Sequence, residues 1–465
     1  MIQSNLNFDV VVLGSGPAGQ KAAVQAAKAG RRVAVVERER DVGGACVHRG
    51  TIPSKTLRES AQQMSRMQRS AKIFDFRLKD DIQVRTLVER MEEVVSAHVD
   101  FMGDQLVRNE VTQYHGRARF LSEHVVEVTA LDGSSTMIYG DVIVIATGSR
   151  PRTPDTIPID HEHVLDSDSL LSLIYLPESL TVLGGGVIGS EYASIFGFLG
   201  VKVTLIDRAD RPLKFMDGEL VGRFQRSFEN QGGTYIGDAS IESVQWDGIS
   251  QVVTRLEDGR EISSDKLLVA LGRVANVDRM HVQSAGLEVS DRGLLPVDEH
   301  CRTSVEHIYA VGDVAGHPGL ASSAMEQGRR AIRHALGIPA GAPFETIPVG
   351  IYSVPEMSSV GLSEEAAVER YGAAVIGRAR FGEIARGLVS GVEDGMLKIV
   401  ACPEGRRLLG IHIIGDSATE LIHVGQMALV AESDVDVFIE NIFNFPTLAE
   451  AYRVAALDIL NRRPQ

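Results

Sequence analysis

The chain has 465 residues, enough for roughly two to four domains with their own cores. With 44% hydrophobic and 23% charged residues it reads as globular rather than disordered, and no uninterrupted apolar stretch approaches the ~18 residues of a membrane helix. A net charge of −15 disfavours a nucleic-acid partner, and three cysteines without a CxxC exclude a disulfide-stapled or cysteine-ligated zinc framework.

The opening run MIQSNLNFDVVVLG has no basic region and no small-residue cleavage site, and it enters a strand at Val10–Leu13. No secretory signal is expected, and a cytoplasmic location is. Residues Phe8–Arg38 then predict a strand, a G-x-G-x-x-G turn at Gly14, Gly16 and Gly19, a helix closing on Gly30, and a second strand ending at Glu37. The next informative stretch, Gly43–Lys55, reads GGACVHRGTIPSK and carries Cys46 and, on a helix, Lys55. Tyr139–Arg150 is a buried-type strand that runs into a glycine turn at Gly148. His161 and His163 flank Glu162 in a Pro- and Asp-rich loop, which reads as solvated surface and not as a metal site.

Leu180–Arg208 repeats the first unit: strand, turn at Gly184, Gly186 and Gly189, helix closing on Gly200, and a strand ending at Asp207. Glu37 lies 23 residues after Gly14, and Asp207 lies 23 after Gly184. This is the dinucleotide-binding βαβ pattern written twice. The first glycine allows the tight turn, the second lets backbone approach a pyrophosphate, and the third lets helix and strand close together. The helix N-terminus offers free N–H groups to phosphate, and the acid accepts a hydrogen bond from a ribose diol. Two such units imply two dinucleotides, and electron transfer between them.

Lys266–Arg273, through Gly272, ends the second half as Tyr139–Arg150 ends the first, and His307–Asp313 is another strand closing on Gly-Asp. A helix is predicted over roughly Leu320–Leu336, with Ala321, Ala324, Ile332 and Ala335 on its apolar face. Beyond the Pro343–Pro348 stretch, strands at Gly395–Val400 and Gly410–Ile414 and helices at Ala418–Glu432 and Leu448–Asn461 suggest a separate C-terminal α+β domain.

These motifs, with ATGSRP at Ala146–Pro151, ALGR at Ala270–Arg273, YAVGD at Tyr309–Asp313 and PTLAEA at Pro446–Ala451, resemble the FAD-dependent pyridine nucleotide–disulfide oxidoreductases across nearly the whole chain. The resemblance implies an α/β fold with two Rossmann-like dinucleotide-binding domains plus a C-terminal α+β dimerisation domain. The expected spans are 1–150 and 274–346 for FAD, 151–273 for NAD(P), and 347–465 for the subunit interface. It implies one FAD per subunit, with NAD and NADP as substrates, and a homodimer without nucleic-acid or membrane partners. Residues of this chain that match the family's FAD site are Gly14, Gly16, Gly19, Glu37, Arg38, Gly43, Gly44, Cys46, Lys55, Gly148, Asp313 and Ala321. For the nicotinamide they are Gly184, Gly186, Gly189, Glu191, Asp207, Arg208 and Gly272.

Two departures from the family pattern are informative. The disulfide reductases carry two cysteines five apart, where this chain has Cys46 and Thr51; they also carry a histidine before the proline of the C-terminal motif, where it has Phe445. A dithiol relay needs two sulfurs, and phenylalanine cannot shuttle a proton. Loss of the disulfide half-reaction explains both and leaves Glu450 without its partner. The hydride-transfer residues remain. By resemblance Lys55 lies beside flavin N5 and pairs with Glu191, Asp313 holds the ribityl or phosphate region, and Cys46 is either a low-pKa thiol or passive packing. The chain therefore resembles the branch of the family that exchanges hydride between NADPH and NAD⁺ by a ping-pong route. An acceptor such as a quinone, docking at Phe443 and Phe445, and a non-catalytic nucleotide sensor are the alternatives. Asp207 argues for NAD at the second turn; Arg208, with Arg211 and Lys202, argues for NADP.

Overall fold

The computed structural model describes residues 6–74, 84–316, 318–341 and 346–464. The chain forms two compact units, one from Met1–Leu57, Gln83–Arg152 and Gly272–Pro343, the other from Arg58–Ile82, Thr153–Leu271 and Phe344–Gln465.

The first unit is built on a sheet with strand order Thr112–His115, Val33–Glu37, Leu6–Leu13, Ser135–Ile145, Val125–Thr129, Arg117–Phe120; Ile308–Ala310 also pairs with Ser135–Ile145. The strands around Leu6–Leu13 are parallel, and the last two pairings are antiparallel. The central strand starts at Leu6, earlier than the apolar run predicted, because Leu6, Asn7 and Phe8 find ladder partners in Ile138, Tyr139 and Gly140. Its alternate residues feed two cores, as side chains pointing to opposite faces must. Val10 and Val12 pack with Ala22, Ala26, Ala331 and Ile332, while Val11 and Leu13 pack with Ile143, Ile145 and Leu295. The helix predicted at Leu320–Leu336 spans Ala321–Ala335. Its buried face is Ser323, Ala324, Gly328, Ala331 and Ile332, whereas the expected Ala321 and Ala335 are only half-buried. The face turns toward Gly328 because a Cβ there would stand 2.1 Å from the Ala18 carbonyl oxygen, so only glycine lets this helix lie on Pro17–Lys28.

In the second unit a parallel sheet runs Thr234–Ile236, Lys202–Ile206, Ser179–Leu183, Lys266–Val269, Val164–Asp166. An antiparallel sheet of Val349–Ile351, Met357–Gly361, Leu408–Ile414, Met396–Ala401 and Val375–Arg380 follows. Helices Ala418–Val430 and Glu450–Arg462 contribute Ala418, Ile422, Ala455 and Ile459 to the core on this sheet. Helix Gly218–Asn230 packs Leu220, Val221 and Phe224 against Met357, Met396 and Ile414. Among the described residues no helix is long and apolar enough to cross a membrane.

Candidate dinucleotide-binding sites

The two fingerprint turns are built alike. In the first, Gly14 has φ +103° and a Cβ there would lie 2.5 Å from the Ala146 carbonyl oxygen; a Cβ on Gly19 would lie 1.9 Å from the Gly14 oxygen. In the second, Gly184 has φ +104° with 2.5 Å to Ala270 O, and a Cβ on Gly189 would lie 1.8 Å from Gly184 O. Protein backbone alone therefore demands the first and third glycines. The middle ones differ: Gly16 and Gly186 have ordinary φ of −63° and −73°. A Cβ on Gly16 would meet nothing nearer than 3.9 Å, and one on Gly186 nothing within 4 Å. Nothing in the protein needs glycine there, so the free space suits a group that approaches from outside, and each position caps a helix whose first N–H groups have no side-chain cap. Close by the first turn, the buried Thr147 hydroxyl has no hydrogen-bond partner among the described residues, which suits an incoming polar group. These features fit a bound dinucleotide at each turn.

The terminal acids have a second duty that spacing did not reveal. Glu37 is 7% exposed; its Oε2 accepts Ser15 N at 2.9 Å and Ser15 Oγ at 2.6 Å, and its Oε1 accepts Glu39 N at 2.9 Å. Asp207 repeats this, accepting from Gly185 N and, at 2.7 Å, from Ala209 N. Each carboxylate locks its own glycine turn before it meets any ribose, leaving its remaining lone pairs for the ligand. Arg38 pairs with Glu39 at 3.3 Å.

Around the first turn, Gly43 N donates to Ser15 Oγ at 3.2 Å, and a Cβ on Gly44 would come within 3.0 Å of Gly16 Cα. Gly43 and Gly44 both take positive φ, which opens the short helix Gly44–His48 that carries Cys46. Of the two readings of Cys46, a low-pKa thiol or passive packing, its surroundings favour packing. Burial pushes the Cys46 thiol up, outweighing the Thr51 hydrogen bond and the Lys55 charge that pull it down, because an apolar setting disfavours the thiolate. Thr51 opens the helix Thr51–Phe74, on which Lys55 Nζ lies 3.3 Å from Ser54 Oγ. Asp313 accepts from Ser149 Oγ at 2.6 Å; Arg273 donates to the same hydroxyl at 2.8 Å and to the Ser149 carbonyl at 2.9 Å. Sequence reasoning missed Ser149 and Arg273, although both sit inside quoted motifs. Gly148 and Gly272 both have positive φ, and a Cβ on either would meet nothing. Ala321 is the first residue of its helix, and Leu320 ahead of it provides no side-chain cap.

Around the second turn, Glu191 is 4% exposed and accepts Tyr352 N at 2.8 Å. Arg208 and Lys202 are exposed. Arg211 is drawn elsewhere, to Glu365 at 3.7 Å and toward the Met216 carbonyl at 3.5 Å. That weakens its expected part in a phosphate clamp and leaves Arg208 as the stronger candidate.

The sites that could have carried other chemistry are dispersed. Cys301 and Cys402 are buried, and burial pushes the Cys301 thiol up to about 11. Phe443 packs in the C-terminal core, Phe445 is 75% exposed, and Glu450 Oε2 accepts Thr447 N at 3.3 Å. His163 stacks on Trp246 at 3.7 Å, and His161 lies 3.8 Å from Asp166. Among the described residues no group of three or more His, Cys, Asp or Glu is placed to hold a metal ion.

Two turns of one design, each of the kind that fits a dinucleotide, recur on a single chain. A family profile described as pyridine nucleotide-disulphide oxidoreductase matches residues 8–328, and its dimerisation domain matches 347–456. The chain belongs to the pyridine nucleotide-disulphide oxidoreductase family. It is 43% identical over 457 residues to a soluble pyridine nucleotide transhydrogenase of Mycobacterium bovis, covering 98% of this chain and 97% of that one. It is 40% identical to the protein of the same name from Vibrio atlanticus, covering 99% and 100%. Among solved structures it resembles LpdA from Mycobacterium tuberculosis, with TM-score 0.90 and 28% identity over 97% of this chain and 99% of that one. The HOCl-induced flavoprotein disulfide reductase RclA from Escherichia coli follows at TM-score 0.87 and 28% identity over the same shares.

Proposed function

We propose that this enzyme transfers hydride between NADPH and NAD⁺, giving NADP⁺ and NADH, with FAD held at the Gly14–Gly19 turn and the nicotinamide substrates at the Gly184–Gly189 turn. The observation that carries this reading is the duplicated turn in a chain with Thr51 and Phe445 where a disulfide relay needs sulfur and imidazole. The names of relatives at 40–43% identity support it.

Bound FAD, one per subunit, supplies the two-electron centre between the nicotinamides. The chain positions and polarises. Gly14, Gly16, Gly19, Glu37, Gly43 and Gly44 shape the FAD cradle, and Asp313, its carboxylate fixed by Ser149, orients the sugar chain. The uncapped N-terminus at Ala321 would offer partial positive charge to the bound cofactor. Lys55 would provide an ammonium where negative charge develops, and Lys55 and Glu191 are both assigned as catalytic. Cys46 is assigned to packing against the cofactor. Arg208 receives a 2′-phosphate, while Asp207 accepts a 2′-hydroxyl, so one turn accommodates both nicotinamides in succession. The assignment divides the chain into FAD-binding segments 1–150 and 274–346, a nicotinamide segment 151–273, and an interface segment 347–465.

A matching dimerisation profile and the exposed apolar side chains Val424, Met427, Val430, Leu457 and Leu460 on the C-terminal helices support a homodimer. Phe445 is then interface surface. The enzyme's assigned location is the cytoplasm, in keeping with relatives named as soluble transhydrogenases. The mechanism is tested by initial-velocity analysis with NADPH and a thionicotinamide NAD⁺ analogue. One shared nicotinamide site gives parallel double-reciprocal lines, and intersecting lines exclude it.

A further inference from the structure

Within the second unit, helix Gly218–Asn230 and strand Val375–Arg380 meet through charged residues that form rungs. At the first rung Arg378 Nε donates to both Glu219 oxygens, at 2.8 and 3.1 Å, and Arg378 Nη2 reaches Glu364 at 3.4 Å. Lys398, 2% exposed at its side chain, closes this rung with Asp217 at 2.9 Å, Glu219 at 3.3 Å and Glu364 at 2.7 Å. With three carboxylates to two cations, the first rung is slightly acidic.

The next rung is basic. Four residues along a helix advance about 6 Å and two along a strand about 6.6 Å, and both steps return to the same face. From Glu219 that step leads to Arg223, and from Arg378 it leads to Arg380. Two arginines thus occupy the second rung, and Arg226 adds a third on the following helical turn. Among the described residues none of the three has a carboxylate within ion-pair distance. Glu219 is committed to Arg378 and Lys398, Asp458 to Arg378 N and Arg462, and Glu229 to Gln225. Glu383 faces the backbone N–H of Arg380 at 3.3 Å. The Nε of Arg223 is buried with no hydrogen-bond partner. Burial, reinforced by the charges of Arg380, Arg226 and Arg378 and opposed by Glu219, lowers the Arg223 pKa. A buried orphan donor among like charges is costly in any fold, and this chain, with a net charge of −15, has acids it does not place there.

We propose that Arg223, Arg226 and Arg380 form a binding site for a small, doubly charged oxyanion of the phosphate class, separate from both dinucleotide turns. The planar guanidinium forks suit an oxyanion's edges, and the buried Arg223 Nε gains the acceptor it lacks. The ligand neutralises the second rung as Glu219 neutralises the first.

The test is calorimetric titration of the FAD-loaded enzyme with inorganic phosphate, at ionic strength matched with chloride and with NADP⁺ saturating so that the nucleotide site, its 2′-phosphate position included, is filled. Wild type should show saturable phosphate binding. In R223Q and R380Q the affinity should fall at least about tenfold, the loss expected for one charge-assisted hydrogen bond. Arg380 is exposed, so R380Q keeps the test available if R223Q folds poorly. Absence of saturable binding in wild type overturns the proposal, as does equal binding in both variants. So does weakened subunit association in R223Q and R380Q with phosphate binding intact, since the missing anion would then be a carboxylate of the partner subunit.

Discussion

The three glycines of each turn have different reasons to be glycine, and those reasons separate in experiment. A methyl on Gly189 would drive 1.8 Å into the Gly184 carbonyl, so helix and strand must part. Gly189→Ala should cost about 1–3 kcal/mol of stability and also abolish nicotinamide binding. A methyl on Gly186 meets no protein atom, so Gly186→Ala should leave the melting temperature nearly unchanged while NAD⁺ affinity falls sharply. Thermal unfolding with fluorescence titration reads both, and equal melting losses in the two variants would refute the distinction. The positions of these glycines were legible in the sequence because the pattern is local. The work of Glu37 and Asp207 was only half legible: spacing placed them at the strand end, but not their bonds back to Ser15 and Gly185. Ser149 was invisible as the partner of Asp313, and Arg273 as the partner of Ser149, because residues 164 and 124 positions apart in sequence meet only once the strands have paired. Cys46 went the other way, since no linear pattern reports that burial outweighs a nearby lysine.

At the level of elements, helix Gly218–Asn230 is held to the C-terminal sheet by apolar packing and by the buried Lys398 cluster, none of which has a sequence signal. Beside that cluster His412, 2% exposed, lies 2.9 Å from both Ser359 Oγ and the Leu362 carbonyl. Burial lowers its pKa, against the pull of Asp217. The unfolded chain therefore takes up a proton at a pH where the folded chain still refuses it, and the folded His412 gains its charge only lower in pH. Stability should be intact above about pH 6.5 and decline below it by up to about 1.4 kcal/mol per pH unit. Asp217 is held low: burial works against this, but the His412 and Lys398 charges prevail, so its contribution is lost only as pH falls below about 4. His412→Gln should remove the upper decline and keep the lower one in denaturant titrations across pH; persistence of the full upper slope would refute the assignment. On the neighbouring helix, Val424, Met427 and Val430 leave an apolar stripe exposed at 39%, 56% and 58%. Met427→Asp should shift sedimentation toward monomer with little loss of monomer stability, and an unchanged dimer would place the interface elsewhere. Helix existence was well predicted here, with Ala418–Val430 falling within the expected span. The ends moved by a few residues because caps and packing, not periodicity, set them.

Across the whole molecule, the proposed hydride exchange rests on two features, the duplicated turn and the presence of Thr51 and Phe445 where a disulfide relay needs sulfur and imidazole. Cys301 and Cys402 are buried and unpaired with any other cysteine, so neither is an evident substitute thiol. The architecture was legible because each βαβ unit is a contiguous run of about thirty residues with its own periodicity. The most direct measurement is steady-state reduction of a thionicotinamide NAD⁺ analogue by NADPH, with no thiol or disulfide present, run beside reduction of lipoamide and glutathione disulfide under the same conditions. Rapid nicotinamide exchange with negligible disulfide reduction is the expected result. Disulfide reduction at a comparable rate would mean that a sulfur route survives and would contradict it.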